Sequence, residues 1–152
     1  MSLKALEGAR IAFDLDGTLV DTAPDLLRAL NDAITPAGLA PVPLAAVRAM
    51  VGRGAKALIL RAHARAGLPE PGEAALAERL DHFLKSYSQG IADQSAPFDG
   101  VDAALDVLTS AGAEVSVCTN KPTWLAVPLL EAVGLKDRFA RIIGAEDAPA
   151  KK

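Results

Sequence analysis

The feature that most limits how this chain can fold is a short apolar run that breaks into a pair of acids. Residues 11–13 (Ile-Ala-Phe) are followed by Asp14-Leu15-Asp16-Gly17. A run this short, bounded by turn-forming residues, predicts a buried strand rather than a helix. Ligands of open α/β sheets bind beyond the carboxyl ends of strands, so both aspartates are expected to face one site. The alternative is a plain loop with a capped turn.

The rest of the chain predicts a sheet whose strands are separated by an unusual surplus of helices. Helical periodicity runs from residue 24 to residue 90, whereas further strands are predicted at 114–118 and 141–143, with helices between them. One crossover helix suffices between neighbouring parallel strands. The fold class is therefore α/β: a Rossmann-like parallel sheet core with a helical cap domain inserted after the first strand.

These patterns assign residues 1–20 and 97–152 to the core and residues 21–96 to the helical cap. The two connections, residues 21–23 and 93–97, consist of polar or small residues and are suited to hinging. The cap is therefore expected to act as a lid.

Composition excludes several classes of function. The net charge is -3 and the basic residues are scattered, so no nucleic acid partner is expected. No apolar stretch reaches the roughly 18–20 residues that a membrane span needs. The single cysteine, Cys118, and the lack of a recognisable leader make the cytoplasm the expected location. A homodimer is left open.

The first acidic segment carries a family resemblance. Asp-x-Asp-Gly-Thr after an apolar strand, here residues 14–18, resembles the first signature of the haloacid dehalogenase superfamily. The following Leu-Val-Asp, residues 19–21, is similar to the phosphoglycolate phosphatase group. The resemblance implies that Asp14 attacks phosphorus to form an aspartyl-phosphate. It also implies that Asp16 protonates the leaving alcohol and then activates water.

This chemistry requires a cation. A carboxylate accepts a phosphoryl group only when an ion screens its repulsion from the phosphate, and oxygen-rich sites suit Mg²⁺. We expect Asp14 and Asp16 to hold that Mg²⁺. Gly17 lets the backbone come close to the phosphate, so Gly17 and Thr18 are predicted to bind phosphate.

A second polar segment follows the strand at 114–118. Thr119, Asn120 and Lys121 stand at an expected helix start, where a hydroxyl and helix amides suit a phosphate oxygen. The segment resembles the family's second signature, in which the threonine binds phosphate. Asn120 is expected to orient the substrate or Asp14. Ordinary helix capping by Thr119 is the alternative.

Two basic positions complete the candidate site. The resemblance implies a lysine near the end of the chain that neutralises the nucleophile and the phosphate. Lys152 fits this position, with Lys151 as the close rival and a solvated tail as the alternative. In the cap, Arg53 between Gly52 and Gly54 could bring a basic side chain over the site, although such a turn is commonly just a helix connection.

The predicted function is that of a Mg²⁺-dependent phosphomonoester hydrolase acting on a small phosphorylated metabolite. The first choice of substrate is 2-phosphoglycolate. Sugar phosphatase, pyrophosphatase and phosphomutase activities stay open, and a haloacid dehalogenase is disfavoured by the acid at position 16. The family also has a further strand ending in aspartates, which does not occur before Lys152. We therefore expect a fragment with an incomplete core, impaired in turnover, or an inactive form that only self-associates.

Overall fold

The computed structural model describes residues 3–147, which divide into two compact units. The first unit comprises the chain up to Asp21 together with the chain from Ala96 onward, and the second comprises Thr22–Ser95. The predicted boundaries, after residue 20 and before residue 97, lie one residue away from these.

A three-stranded parallel sheet forms the centre of the first unit. Its strands are β1 (Arg10–Phe13), β4 (Glu114–Cys118) and β5 (Arg141–Ile143), in the order β1-β4-β5. The neighbours are parallel, and Phe13 pairs with Val117 in the β1–β4 ladder. The α/β prediction with a parallel sheet is confirmed.

Two helices accompany this sheet. Helix α5 (Val101–Ser110) precedes β4 and α6 (Thr123–Ala132) lies between β4 and β5. Their apolar faces and the inward side chains of β4 form the core, in which the following residues are buried: Leu105, Val115, Val117, Leu125, Ala126, Leu129 and Leu130. Alternation along β4, with Val115 and Val117 inward, turns Ser116 to the other face.

That other sheet face carries a shallow groove of about 200 Å³. Small side chains, Ala12 and Ser116, lie among its lining residues, as do the charged Arg10, Glu114 and Arg141. Arg10 and Glu114 approach within 3.9 Å as a largely exposed pair. Within residues 3–147, β1 is an edge strand of this sheet.

The second unit is entirely helical, as predicted, and we call it the cap. Its helices are α1 (Ala23–Ile34), α2 (Leu44–Arg48), α3 (Ala55–Arg65) and α4 (Glu73–Gln89). Pro24 stands in the first turn of α1, where its missing N–H costs nothing. Helix α1 buries a stripe of Leu26, Ala29, Leu30, Ala33 and Ile34, and the long α4 adds the stacked rings of Phe83 and Tyr87.

Two very short strands occur where the chain leaves and re-enters the first unit. Strand β2 (Val20–Asp21) and β3 (Ala96–Pro97) pair antiparallel, with Asp21 opposite Ala96. This pair was not predicted from the sequence, because two residues are too few to show an alternating pattern. Among the described helices, none is both long and apolar enough to cross a membrane.

Candidate active site

The loop after β1 carries both predicted acids in a tightly closed turn. The carbonyl of Leu15 accepts hydrogen bonds from the N–H groups of residues 18, 19 and 20 at 3.0–3.3 Å. Gly17 donates its N–H to Val20 at 2.9 Å and has φ 75°, a left-handed conformation that favours glycine. Asp14 accepts the N–H of Leu15 at 2.8 Å, and Asp16 is only 9% exposed.

These bonds bear on the predicted phosphate ligands Gly17 and Thr18. Both main-chain N–H groups already donate inside the loop, that of Thr18 to Leu15 at 3.3 Å. In this conformation both amides are therefore engaged within the loop, and their binding to a phosphate stays a prediction. The Thr18 side chain is exposed, so its hydroxyl is the group through which this position could act.

The loop after β4 holds Thr119 in a buried position, with 4% exposure. Its N–H donates to Ile143 at 3.0 Å, and its Oγ1 accepts the N–H of Lys121 at 3.1 Å. The predicted helix start at Thr119 is wrong, since α6 begins at Thr123 with Pro122 as its N-cap. Thr119 thus closes a local turn instead of capping the helix.

The sheet brings the two loops to the same edge. Because β1 and β4 are parallel and Phe13 pairs with Val117, Asp14 lies one residue and Thr119 two residues beyond that pair. Neighbouring strands lie about 4.8 Å apart. The acid and the threonine therefore extend from adjacent strand ends.

A buried ion pair joins the two loops directly. The Nζ of Lys121 lies 3.1 Å from the Oδ1 of Asp16, with the lysine and aspartate side chains 5% and 8% exposed. Sequence reasoning gave no role to Lys121. The available signal was its place two residues after Thr119, in the segment that follows a predicted strand end. Lys121 is thus a cation in contact with one of the candidate catalytic acids.

The start of α6 is occupied by acids from the segment after β5. The carboxylate of Glu146 accepts the N–H of Thr123 at 2.8 and 2.9 Å, and the Thr123 hydroxyl donates to Asp147 at 2.5 Å. Negative charge is favourable at a helix N-terminus. In this conformation the first amide of α6 therefore donates to a carboxylate of the chain itself.

The remaining predicted residues are Lys151, Lys152, Asn120 and Arg53. Lys151 and Lys152 lie outside the described residues. Asn120 is half-buried in the turn after β4. Arg53 is exposed in the cap, in the connection between α2 and α3. The flanking Gly52 and Gly54 have φ of 88° and 84°, so the backbone of this turn requires its glycines.

Comparison with known proteins identifies the family. A family model described as hydrolase, haloacid dehalogenase-like hydrolase, matches residues 10–152. The chain belongs to the haloacid dehalogenase-like hydrolase family. The family resemblance carried by the acidic loop is thereby confirmed.

Two named relatives show which kind of hydrolase the chain resembles. The chain is 53% identical over 151 residues to a phosphoglycolate phosphatase of Caulobacter vibrioides, covering 99% of this chain and 63% of that protein. It is 48% identical over 132 residues to a phosphoglycolate phosphatase of Agrobacterium fabrum, covering 86% and 55%. The chain thus spans less than two thirds of the length of these relatives.

A solved structure supports the fold of this haloacid dehalogenase-like chain. The crystal structure of a predicted phosphoglycolate phosphatase from Haemophilus somnus superposes with a TM-score of 0.84 at 29% identity. The superposition covers 97% of this chain and 66% of that one. The α/β architecture described above is therefore the fold of phosphatases in this family.

The donor chemistry of the first loop fits the metal that the family implies. Mg²⁺ usually binds through one or two carboxylates, completed by water and substrate oxygens. Asp14 and Asp16, separated by one residue after a strand, supply that number of carboxylates. Within residues 3–147 there is no group of three or more His, Cys, Asp or Glu side chains placed to hold a metal.

Proposed function

We propose that this protein is a Mg²⁺-dependent phosphomonoester hydrolase and that its preferred substrate is 2-phosphoglycolate. One observation carries the proposal: the buried contact of Lys121 with Asp16 fastens the acidic loop to the loop of Thr119. Two acids, a hydroxyl and a cation are thereby gathered at one edge of a parallel sheet. The names of the relatives, phosphoglycolate phosphatase at 53% and 48% identity, support the choice of substrate.

The first chemical step assigned to these residues is phosphoryl transfer to Asp14. Its carboxylate oxygen attacks phosphorus, and the bond between phosphorus and the alcohol oxygen breaks. Asp16, which exchanges its contact with the Lys121 ammonium for a proton when the substrate binds, donates that proton to the leaving oxygen. The Thr119 hydroxyl donates to a phosphoryl oxygen, and the Lys121 ammonium offsets negative charge as it develops.

The second step returns the site to its starting state. Asp16, now ionised, takes a proton from water as the water oxygen attacks phosphorus. The bond from phosphorus to Asp14 breaks, releasing inorganic phosphate and a free carboxylate. Because the same acid gives a proton in one step and takes one in the next, no other proton carrier is needed.

Asp14 and Asp16 are the residues that would hold Mg²⁺ in this proposal. When bound, the ion supplies charge neutralisation between the carboxylate of Asp14 and the substrate phosphate. The lysine at position 152 or 151 remains a proposed additional cation. Asn120, Gly17 and Thr18 remain proposed phosphate-side contacts, with Thr18 acting through its hydroxyl.

Substrate selectivity is assigned to the cap. Arg53 is exposed and basic, so it is the proposed partner for the carboxylate that distinguishes 2-phosphoglycolate from neutral alcohol phosphates. The proposal places the protein in the cytoplasm, where a single cysteine is kept reduced.

The test is phosphate release from 2-phosphoglycolate in the presence of Mg²⁺, comparing the wild-type protein with Asp14→Asn. Loss of the nucleophile is expected to lower turnover by about a thousandfold or more. Asp81→Asn, an exposed position in α4, is the matched control and is expected to keep wild-type turnover. Near-normal turnover by Asp14→Asn contradicts the mechanism. A panel with a hexose phosphate and pyrophosphate tests the substrate, and faster release from either contradicts that choice.

A further inference from the structure

Two segments connect the first unit with the cap. Within the first unit, the short β2–β3 ladder holds these two segments together. Val20 pairs with Pro97 and Asp21 pairs with Ala96. One residue further into the core, the N–H of Phe98 donates to the carbonyl of Leu19 at 3.1 Å. The segment that leads into the cap is therefore paired up to Asp21, and the segment that returns from the cap is paired from Ala96 onward.

On the cap side the same two segments are fixed by Asp25, in the first turn of α1. This carboxylate is fully buried. Its Oδ2 accepts three hydrogen bonds: from the N–H of Gln94 at 3.0 Å, the N–H of Ser95 at 2.8 Å and the hydroxyl of Ser95 at 2.6 Å. Hydrogen bonds to an ionised acceptor are roughly twice as strong as neutral ones. The returning segment is thus tied to the outgoing helix up to Ser95.

We call the hydrogen bonds of Asp25 to Gln94 and Ser95 the clamp. Arg28, one turn further along α1, extends this clamp to the end of α4. It donates through Nη1 to the carbonyl and hydroxyl of Ser86 at 3.1 and 2.9 Å, and through Nη2 to the carbonyl of Gly90 at 2.9 Å. The Nε of Arg28 and the Oδ1 of Asp25 lack hydrogen-bond partners among the described residues, yet they lie 3.9 Å apart. The opposite charges therefore compensate each other inside the cap.

Gly90 lies against the side-chain ends of the same clamp, which would have to shift to admit a Cβ. A Cβ added there would stand 2.6 Å from the Nη2 of Arg28 and would also collide with the Asp93 carboxylate. Gly72, at the other end of α4, has open space around an added Cβ. The two glycines thus offer a matched pair of positions for perturbing the clamp without removing a charge.

We propose that Asp25 is a positioning residue that confines the hinge of the cap to two peptide links, Asp21–Thr22 and Ser95–Ala96. Everything up to these links is locked by the ladder on one side and by Asp25 on the other. The boundary between the two compact units falls at the same two links. The wider connections expected from sequence, residues 21–23 and 93–97, are thereby narrowed. Because Asp21 and Ala96 are cross-strand partners, the links lie side by side and act as one hinge.

The consequence for catalysis rests on the proposed function. A cap that moves as one piece loses little conformational entropy when it closes over the substrate. When the clamp is loosened, the closed state is a smaller fraction of the population, so the apparent affinity for substrate falls by that fraction. The chemical step is untouched, since Asp25 acts only through the connection it holds.

The experiment compares hydrogen exchange and kinetics in Ser95→Ala, Ser95→Thr and Gly90→Ala. Ser88→Ala and Gly72→Ala are the controls. Among the described residues the Ser88 hydroxyl donates only to Lys85 in its own helix, and Gly72 has open space for a Cβ. In Ser95→Ala and Gly90→Ala, amide exchange over residues 91–97 is expected to rise about tenfold, with the interior of α1 and α4 unchanged. Ser95→Thr keeps the hydroxyl and is expected to retain wild-type exchange. Unchanged exchange at residues 91–97, or a rise spread evenly over the cap, overturns the proposal.

Kinetics separate this proposal from the proposed function. KM for 2-phosphoglycolate is expected to rise about threefold to tenfold in Ser95→Ala, with kcat preserved. A fall in kcat at constant KM overturns the positioning role. If the wild-type protein releases no phosphate from any substrate, the proposed function fails, and the exchange data alone decide whether Asp25 clamps the hinge.

Discussion

Asp16 and Asp25 are both buried aspartates, but they are stabilised in different ways. Asp16, in the first unit, faces the ammonium of Lys121 at 3.1 Å. Asp25, in the cap, accepts three directional hydrogen bonds from a single segment, with Arg28 at 3.9 Å. A lysine ammonium is a point charge on a flexible stem, whereas main-chain N–H groups have fixed directions.

The difference indicates different roles. A carboxylate that contacts the ammonium of a flexible lysine can exchange that contact for a substrate, a metal or a proton without unfolding its loop. A carboxylate fixed by main-chain donors 69 and 70 residues away in sequence can move only if the chain itself rearranges. We therefore interpret Asp16 as part of the reacting site and Asp25 as a structural residue that fixes the returning segment to α1.

The largest change in the free energy of unfolding is expected from Lys121→Met. Removing one partner of a buried ion pair leaves the other charge uncompensated, which costs about 3–5 kcal/mol of unfolding free energy. Asp16→Asn combined with Lys121→Met removes both charges, so the double variant is expected to be more stable than Lys121→Met alone. Urea denaturation of the single and double variants measures this coupling. Strictly additive losses contradict a direct interaction.

A smaller loss of stability is expected from Asp25→Asn. The substitution preserves shape, but it replaces one oxygen by an NH₂ group and removes the charge opposite Arg28. We expect about 1–3 kcal/mol lower unfolding free energy, since buried donors lose a strong acceptor. Asp81→Asn on the exposed face of α4 is the control. A loss no larger than that of the control shows that the clamp contributes nothing to stability.

The smallest effect is expected at the exposed pair of Lys136 and Glu131. The hydrogen bond and charge of Glu131 raise the pKa of Lys136 above its ordinary value of 10.5. Any stabilisation is therefore fully present below 10.5 and is lost as the pH rises through the raised pKa. Because both side chains are well exposed, Lys136→Met is expected to leave the melting temperature at neutral pH unchanged. A clear decrease in melting temperature contradicts this ranking of buried over exposed pairs.

The sequence was sufficient for the strands of the parallel sheet and for the longer helices because each has a local pattern. The strands at 114–118 and 141–143 are short apolar runs between turns, and the cap helices α1, α3 and α4 show helical periodicity over several turns. Acids placed directly after a strand also predict their own position at the sheet edge. These parts of the site needed no knowledge of distant residues.

The features that the sequence did not predict depend on contacts between distant segments or on one local conflict. The β2–β3 pair and the clamp of Asp25 join residues about 70 positions apart, which no periodicity reveals. The wrong helix start at Thr119 had a visible cause. Lys121 precedes Pro122, and a residue before proline disfavours the helical conformation, so α6 could begin only after it.

The most direct test of the account uses Asp16→Asn with p-nitrophenyl phosphate, whose leaving group needs no proton. With this ester, transfer to Asp14 proceeds without the acid, whereas hydrolysis of the intermediate still needs Asp16 as a base. The account predicts a burst of one equivalent of nitrophenol, followed by a stall. Acid quenching and peptide mapping then find one phosphoryl group on Asp14. Sustained turnover without a burst, or a phosphoryl group on another residue, contradicts the assignment of the nucleophile.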